Sequence, residues 1–343
     1  MPQLVPLVPA PGPTTPRAPI VLDPEMERLY REAEELAAGR LPVLIVGETG
    51  VGKEHLAEAI HQAGPRAPHP FVRINCAAVT HSLFESELFG HERGAFTGGE
   101  REKPGLLEAA GRGTVFLDEV AELPLPLQAK LLRALESGGA HRVGGLVPRP
   151  IQARFVSATN RDLPSAIDLG QFRQDLFYRL AGSVLRVPPL RARPGEILPL
   201  AERFAASVAR ELGRGRVELL PEARQRLAAH GWPGNVRELR NALERAVLLA
   251  RDGVIGVEQL EGALSAPAAA RAAATGRPAP AAPADDPARS ASRRAIVLEA
   301  LAASGGNQKQ AAQRLGINRR TLARWLDQLA IARPRSSGRE PFA

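Results

Sequence analysis

The sequence predicts an α/β protein in which helices cover a parallel sheet, followed by a helical subdomain and a small all-α domain. In the first half of the chain, short apolar runs alternate with helix-like stretches, as expected when parallel strands are joined by helices. The apolar runs are residues 43–46, 71–74, 114–117 and 154–157, and the helix-like stretches include 53–62 and 126–137. From about residue 196 to residue 262 the pattern is helical throughout. Residues 264–290 are rich in alanine and proline, which is typical of a linker.

These patterns divide the chain into six segments. The first is a tail and not a signal peptide, because prolines interrupt the apolar stretch that a signal peptide requires. The predicted segments are a tail at 1–20, an α/β domain at 21–189, a helical subdomain at 190–262, a linker at 263–290, a helical domain at 291–332 and a second tail at 333–343.

Composition places the chain among reduced, soluble proteins that contact a polyanion. Of its 343 residues 44% are hydrophobic, and no apolar run approaches the roughly 20 residues of a membrane helix. Cys76 is the only cysteine, which excludes an internal disulfide and favours the cytoplasm. Residues 1–262 carry 32 basic and 32 acidic residues, whereas residues 263–343 carry 13 and 5, so the net charge of +8 lies in the last quarter.

A glycine-rich loop follows the first apolar run and leads into a helix. Its backbone N–H groups can surround phosphates at the positive end of that helix, and Lys53 adds a charge for the outer phosphates. The strict signature has serine or threonine after the lysine, where this chain has Glu54. A chance glycine-rich loop is the alternative, and the order of strand, loop and helix disfavours it. The nucleotide-binding candidates here are Gly47, Glu48, Thr49, Gly50, Val51, Gly52, Lys53 and Glu54.

Polar side chains end three of the predicted strands. Asp118 and Glu119 follow one run at the edge where open α/β sheets bind ligands. Asp118 would hold Mg²⁺, directly or through water, and Glu119 would orient and deprotonate an attacking water. A solvated pair of turn acids is the alternative, but Lys53 upstream favours the site. Asn160 and Asn75 end two other runs, and ordinary turn asparagines are the alternative for both.

Two further patterns contain arginines. Arg173 and Arg179 stand six residues apart, about 120° around a helix. An exposed helix with ion pairs explains them equally well. Asn235 is predicted to cap a helix, with Glu238 completing a capping box. Arg237 then falls in the first turn, where the helix dipole disfavours a cation unless an anion lies nearby. A solvated arginine is the alternative there.

A second glycine-rich segment, GAFTGG, presents an aromatic side chain and a hydroxyl on a flexible tip. Such a tip suits contact with a partner protein. The alternative is a hairpin with Phe96 packed on its own domain. The candidate contact residues are Gly94, Ala95, Phe96, Thr97, Gly98 and Gly99. Another loop, at 138–145, closes the helix that precedes it.

The basic C-terminal segment has the pattern of a helix-turn-helix. Residues 307–315 and 319–329 form two helical stretches around the tight turn at 316–318. The second stretch has an apolar stripe that packs inward and basic residues that face outward, which favours insertion into a DNA major groove. A basic surface helix is the alternative. The DNA-binding candidates are Asn318, Arg319, Arg320, Thr321 and Arg324.

Together these motifs resemble the bacterial enhancer-binding proteins, the NtrC-type activators of sigma-54 RNA polymerase, over residues 20–262 and 291–330. The resemblance implies an AAA+ P-loop ATPase with a helical lid and a Fis-type helix-turn-helix, using ATP and Mg²⁺. It implies a homo-oligomeric ring, a hexamer, that binds double-stranded DNA upstream and converts the closed complex of sigma-54 RNA polymerase into an open complex.

The resemblance also assigns individual roles. Phe96 and Thr97 would touch the sigma factor, and the loop at 138–145 would move against them as ATP is turned over. Asn160 matches the first sensor position and Arg237 the second. Asn75 matches the residue that restrains Glu119 until the ring assembles. Arg173 and Arg179 match arginine fingers supplied to the neighbouring subunit.

The chain departs from the family at a few positions. The GAFTGA loop of the family ends in alanine where this chain has Gly99, and Trp325 and Asp327 interrupt the usual basic run of the last helix. Two alternatives follow: a DNA-binding regulator that keeps the AAA+ domain without engaging sigma-54, and an ATPase that remodels another target. Only about 20 residues precede the α/β domain, fewer than a receiver domain needs. We therefore expect control by expression level or by a separate regulatory protein.

Overall fold

The computed structural model describes residues 20–77, 81–96, 101–250 and 253–264, together with Leu301, Ser304 and Gln310. Several predictions fall outside these residues. They are the tail at 1–19, most of the linker and of the helix-turn-helix, the sigma-54 contact candidates Thr97, Gly98 and Gly99, and the DNA-binding candidates Asn318, Arg319, Arg320, Thr321 and Arg324.

Helices and strands alternate through the first part of the chain. In order they are α1 (Pro24–Ala37), β1 (Val43–Val46), α2 (Lys53–Ala63), β2 (Phe71–Asn75), α3 (His81–Phe89), β3 (Gly90–His91), β4 (Lys103–Pro104), α4 (Leu106–Ala109), β5 (Thr114–Asp118), α5 (Leu125–Ser137), β6 (Gly139–His141), β7 (Pro148–Pro150), β8 (Arg154–Thr159), α6 (Leu163–Asp168), α7 (Gln174–Leu180) and β9 (Ser183–Arg186). A helical subdomain follows, residues 190–264, which we call the lid. Its elements are α8 (Ile197–Glu211), β10 (Glu218–Leu219), α9 (Pro221–Ala229), α10 (Asn235–Leu249), β11 (Val254–Ile255) and α11 (Val257–Leu264).

Five strands form a parallel sheet in the order β2-β5-β8-β1-β9. The four strands predicted from the apolar runs are confirmed, and each begins at its predicted residue. The fifth strand, β9, was not predicted, because only two apolar residues stand between Ser183 and Arg186. Its backbone pairs with β1, so tertiary pairing defines it more than its own sequence does.

The sheet is buried on both faces, and successive residues of a strand contribute to opposite cores. Val43 and Ile45 belong to the core shared with α1 and α2, whereas Leu44 between them belongs to the core on the other face. This alternation follows from the two-residue period of a strand. Both cores need apolar residues, so β1 and the middle of β5 are continuous apolar runs, whereas β2 and β8 include polar residues such as Arg73 and Ser157.

The lid has a core of its own, with Trp232 fully buried at its centre. The Trp232 indole Nε1 donates to the carbonyl oxygen of Leu227 at 2.9 Å, so its one polar group is satisfied. The prediction of a purely helical pattern was wrong in one respect, because β10 and β11 form a short parallel pair. Among the described residues, no helix combines the length and apolar character needed to cross a membrane.

Strands β2, β5 and β8 approach one another closely at Gly113, immediately before β5. The amide of Thr114 donates to the Pro70 carbonyl oxygen at 2.9 Å, and that of Arg154 donates to the Gly113 carbonyl oxygen at 3.0 Å. A Cβ atom added at Gly113 would lie 1.9 Å from the Pro70 carbonyl oxygen. No side chain fits between these backbones.

We expect Gly113→Ala to lower the free energy of unfolding by about 3 kcal/mol or more, because backbone must move to relieve the overlap. Urea unfolding followed by circular dichroism measures this. Gly195→Ala is the matched control, since nothing lies within 4 Å of its added methyl group, and we expect a change within about 0.5 kcal/mol. Equal stability of the two variants would contradict the packing described here.

Candidate nucleotide-binding site

The phosphate loop connects β1 to α2 at the carboxyl end of the sheet. Helix α2 begins after Gly52 without a side-chain cap, so its first amides remain available to an anion. Gly52 has φ +105, and a Cβ there would meet no atom within 4 Å, so the loop leaves open space beside this glycine. An unobstructed cradle of backbone at a helix N-terminus fits a phosphate group.

Lys53 is 6% exposed, and its ammonium group lies inside the loop. Nζ donates to the carbonyl oxygens of Gly47 at 2.9 Å and Glu48 at 3.2 Å, and it lies 4.0 Å from Glu119 Oε1. Burial lowers the Lys53 pKa, while the carboxylates of Glu119 and Asp118 oppose that shift. The loop thus has a fixed positive charge next to the acid pair.

Asp118 and Glu119 end strand β5 with different backbone conformations. Glu119 has φ 53 and ψ 48, a left-handed conformation that few side chains adopt and that marks functional sites. Burial raises the pKa of both carboxyls, and Lys53 counteracts this. Within the described part of the chain no cluster of three or more His, Cys, Asp or Glu could hold a metal unaided. Carboxylate oxygen is a ligand type that suits Mg²⁺ bound jointly with phosphates.

Asn160 joins the acid pair to the phosphate loop. Its backbone amide donates to Glu119 Oε2 at 3.3 Å, and its side-chain Nδ2 donates to Thr49 Oγ1 at 2.6 Å. Asn75 makes a local contact instead, since its Oδ1 accepts from the Ala77 amide at 2.9 Å, as a turn asparagine does. The structure therefore brings Asn160 into the site and gives Asn75 no described bond to Glu119.

Glu54, which stands where the strict phosphate-loop signature has a hydroxyl residue, contacts β2. The Arg73 guanidinium donates to its carboxylate at 2.5 Å and also pairs with Glu58 at 3.2 Å. Both Arg73 and Glu54 are partly exposed. In this arrangement Glu54 attaches α2 to the sheet.

The lid contacts the phosphate loop through the start of α10. The prediction that Asn235 caps this helix was wrong, because the cap position is Gly234 and Asn235 is fully buried with φ 52. Its Oδ1 accepts from the Leu190 amide at 2.8 Å, and its Nδ2 donates to Glu48 Oε2 at 3.0 Å and to the Thr49 carbonyl oxygen at 3.1 Å. The side chain bridges the lid to the loop instead of capping its helix.

The other half of the predicted capping box is present, since Glu238 Oε2 accepts from the Gly234 amide at 2.7 Å. Arg237 lies in the first turn as predicted, and its amide donates to the Gly50 carbonyl oxygen at 3.3 Å. The Arg237 guanidinium influences the pKa of both Lys53 and Asp118, so its charge is close to the site.

Two lid arginines were missed by the sequence analysis. Arg193 Nη2 donates to the Val51 carbonyl oxygen at 2.9 Å, and its Nη1 pairs with Glu196 at the same distance. Arg191 donates from both terminal nitrogens to the Glu48 carboxylate, at 2.8 and 2.6 Å. The one indication in the sequence was Glu48, because an acidic side chain in a phosphate loop requires a nearby cation to offset its charge.

Arg173 and Arg179 have partners away from the phosphate loop. Arg173 is the cap residue before α7 and Arg179 lies in the last turn of that helix, so the 120° separation of two residues within one helix does not apply. Its guanidinium makes two hydrogen bonds to Asp175, at 3.1 and 2.7 Å. Arg179 Nη2 donates to the Leu135 carbonyl oxygen at 2.8 Å, at the end of α5. No bond between described residues joins either arginine to this chain's own phosphate loop.

The base of the GAFTGG loop is an ordered structure. Strand β3 pairs with β4, and the Glu92 amide donates to the Val143 carbonyl oxygen at 3.0 Å. Gly94 has φ +80, and Phe96 is 45% exposed, with the centroid of its ring 4.9 Å from that of His91 in an edge-to-face arrangement. The loop at 138–145 is more ordered than predicted, because β6 and β7 pair as a hairpin.

Arg142 connects these two loops. It donates to both carboxylate oxygens of Glu108, at 2.8 and 2.9 Å, and lies 3.4 Å from Glu92 and 3.4 Å from Glu102. Glu92 and Glu102 flank the GAFTGG tip on either side, and Arg149 also contacts Glu92. Hydrogen bonding to Arg142 lowers the pKa of the Glu108 carboxyl. We call Arg142 and these three glutamates the loop hub.

The order of the parts defines the class of protein. Strand β1 leads into the phosphate loop, β5 carries the acid pair, and β8 with Asn160 lies between them in the sheet. A helical lid that follows the sheet and contacts the loop identifies this arrangement as an AAA+ P-loop ATPase.

Comparison with known proteins agrees with this class. Residues 20–186 match the sigma-54 interaction domain, residues 191–276 the AAA+ ATPase lid domain, and residues 294–329 the bacterial regulatory protein, Fis family. Crystal structures of NtrX from Brucella abortus in complex with ADP and with ATP superpose with TM-scores of 0.66 and 0.65, at 33% and 34% identity, covering 92% of this chain and 70% of NtrX.

Curated relatives match 72% to 92% of the chain. The response regulator protein FleR of Pseudomonas aeruginosa is 43% identical over 92% of this chain and 70% of its own length. The sigma54-dependent transcriptional activator SfnR of Pseudomonas putida is 45% identical over 75% and 71%. The anaerobic nitric oxide reductase transcription regulator NorR of Aeromonas hydrophila is 50% identical over 72% of this chain and 49% of its own length. The chain belongs to the family of sigma-54-dependent transcriptional activators, whose sigma-54 interaction domain is an ATPase.

We expect Arg142→Met to lower the free energy of unfolding by about 2 kcal/mol at neutral pH, because Glu108 loses charged hydrogen bonds. The loss relative to the parent should shrink as the pH falls. The folded-state pKa of Glu108 is depressed, so its stabilising contribution is present above the unfolded pKa and disappears as the pH falls through the folded pKa. Urea unfolding from about pH 7 to about pH 3 tests both statements.

The control for this experiment is Arg133→Met, which removes the same charge from an exposed position on α5. We expect no comparable loss from it. A pH-independent loss in Arg142→Met would show that packing of the arginine stem, and not its ion pairs, stabilises the hub.

Proposed function

We propose that the chain binds ATP with Mg²⁺ at the phosphate loop and uses hydrolysis to convert the sigma-54 RNA polymerase closed complex into an open complex. One observation carries this proposal: Glu119 is held between Lys53 and the Asn160 amide, beside the open cradle at Gly52. A general base, Glu119, a cation for the phosphates, Lys53, and a backbone cradle for the phosphates thereby lie together at one edge of the sheet.

The residues divide the chemistry among themselves. Backbone amides of the loop and the Lys53 ammonium would hold the phosphates, and Asp118 would hold Mg²⁺ directly or through water. The metal, when bound, neutralises charge on the phosphates. Glu119 would accept the proton of the attacking water, since burial raises its pKa and thereby its basicity, while Lys53 counteracts part of that rise. Asn160 would fix the Glu119 carboxylate, and Arg237 would reach the nucleotide from the lid.

Hydrolysis would take place in a ring of identical subunits, a hexamer. Arg173 and Arg179 have no described bond to this chain's own loop and face other partners, which suits fingers that act on a neighbour's nucleotide. Arg173 would exchange Asp175 for the neighbour's phosphate on assembly. Asn75 would restrain Glu119 until the ring assembles, in a conformation other than the one described here.

Two further sets of residues would connect the ring to transcription, one through the sigma factor and the other through DNA. Gly94, Ala95 and the half-exposed Phe96, with Thr97, Gly98 and Gly99, would touch the sigma factor. Asn318, Arg319, Arg320, Thr321 and Arg324 would bind double-stranded DNA upstream of the promoter. The protein would act in the cytoplasm.

We expect Glu119→Gln to reduce the ATPase rate by at least about a hundredfold, because the amide keeps the shape of the side chain but cannot accept the proton. ATP binding, measured by calorimetry, should be retained. Glu122→Gln is the matched control, since Glu122 lies in the same turn and pairs with Arg161, and its rate should stay near that of the parent. Hydrolysis by Glu119→Gln at the parent rate would remove Glu119 from its assigned role.

We expect Thr97→Ala to hydrolyse ATP like the parent and to form few or no open complexes, because the hydroxyl is assigned to the sigma factor and not to the nucleotide. Transcription in vitro with sigma-54 polymerase measures this. If the parent hydrolyses ATP but opens no promoter, the chain is instead a DNA-binding regulator that does not engage sigma-54. Equal activation by variant and parent would exclude the role given to Thr97.

A further inference from the structure

The phosphate loop contains a carboxylate of its own that contacts the lid. The Glu48 carboxylate accepts hydrogen bonds from both terminal nitrogens of Arg191, at 2.8 and 2.6 Å, and from Asn235 Nδ2 at 3.0 Å. Arg191 belongs to the turn that opens the lid, and Glu48 is the second residue of the loop. We call Glu48, Arg191 and Asn235 the latch.

An exposed ion pair is ordinarily weak, and both Glu48 and Arg191 are partly exposed. This pair differs because the contact is bidentate and because its third member, Asn235, is fully buried and held by the Leu190 amide. The lid also donates hydrogen bonds to the carbonyl oxygens of the next three loop residues. The donors are the Asn235 side chain to Thr49, the Arg237 amide to Gly50 and the Arg193 guanidinium to Val51. Glu48 is therefore fixed in place.

Glu48 introduces a permanent negative charge next to the phosphate cradle. Hydrogen bonding to Arg191 and Asn235 lowers its pKa to about 2, so the carboxylate is ionised at neutral pH. A nucleotide brings several negative charges to the same loop, and like charges at this range repel. Phosphate binding is therefore favoured when this carboxylate is neutralised and directed away from the phosphates.

We propose that Arg191 is a positioning residue for nucleotide binding, which neutralises Glu48 and directs its carboxylate away from the nucleotide. Glu48, on this assignment, contacts the lid and not the nucleotide. The inference rests on the proposed nucleotide site. It predicts an asymmetry: loss of the arginine harms nucleotide binding through the carboxylate left behind, whereas loss of the carboxylate does little.

The test measures kcat and KM for ATP, and the Kd for ADP by calorimetry, on the full chain, on four variants of the latch and on one control variant. Arg191→Ala should raise KM and Kd by on the order of tenfold with a smaller change in kcat, because an unpaired charge remains in the loop. Glu48→Gln should change KM by less than about threefold. The double variant Arg191→Ala with Glu48→Gln should recover most of the lost affinity, because the unpaired carboxylate is gone. Arg191→Lys should keep KM near the parent value, because the lysine still neutralises Glu48.

Arg210→Ala, an exposed lid position, controls for the loss of one positive charge. A double variant as weak as Arg191→Ala, or Arg191→Lys as weak as Arg191→Ala, would overturn the latch, because a merely structural contact is not repaired by removing its second half. Parent-like KM in Arg191→Ala would overturn it as well. Absence of ATP binding in the parent would refute the nucleotide site itself, a different result.

Discussion

The contact between the phosphate loop and the lid is the interaction on which the rest of the structure depends. The α/β part and the lid have separate apolar cores, so burial of apolar surface does not by itself fix one against the other. Polar groups do so, at the loop. Four successive loop residues, from Glu48 to Val51, each bond to the lid. A shift of the lid is therefore also a shift of the backbone that holds phosphate.

Backbone strain is concentrated in the same place. The described residues other than glycine with positive φ are Glu119, Trp232 and Asn235. One carries the acid assigned to hydrolysis, and the other two shape the lid turn that meets the loop. Such conformations cost on the order of 1 kcal/mol or more each and persist only where the surroundings enforce them. Burial of Trp232 and the hydrogen bonds of Asn235 supply that enforcement.

Local sequence revealed the parts whose signal is local. The strands β1, β2, β5 and β8 begin where the predicted runs begin, because burial in the sheet favours stretches rich in apolar residues. The phosphate loop and the acid pair were found because their residues are consecutive. The lid partners of the loop were not found, since Arg191 and Asn235 lie far from Glu48 along the chain. Asn235 was misassigned because a capping asparagine and a bridging asparagine look alike until the partner is known. The helix start between Arg173 and Gln174 was not predicted, because sequence spacing does not show where a helix begins.

The loop hub distributes its bonds unevenly, and this has a mechanical consequence. Arg142 holds Glu108 with two short hydrogen bonds but reaches Glu92 and Glu102 only at 3.4 Å. Glu108 alone neutralises the arginine, so either outer glutamate can detach without leaving a buried charge unpaired. The hub thus has one short, bidentate attachment to Glu108 and two longer ones. The longer contacts are those on either side of the GAFTGG tip, so the tip is joined to Arg142 more weakly than α4 is.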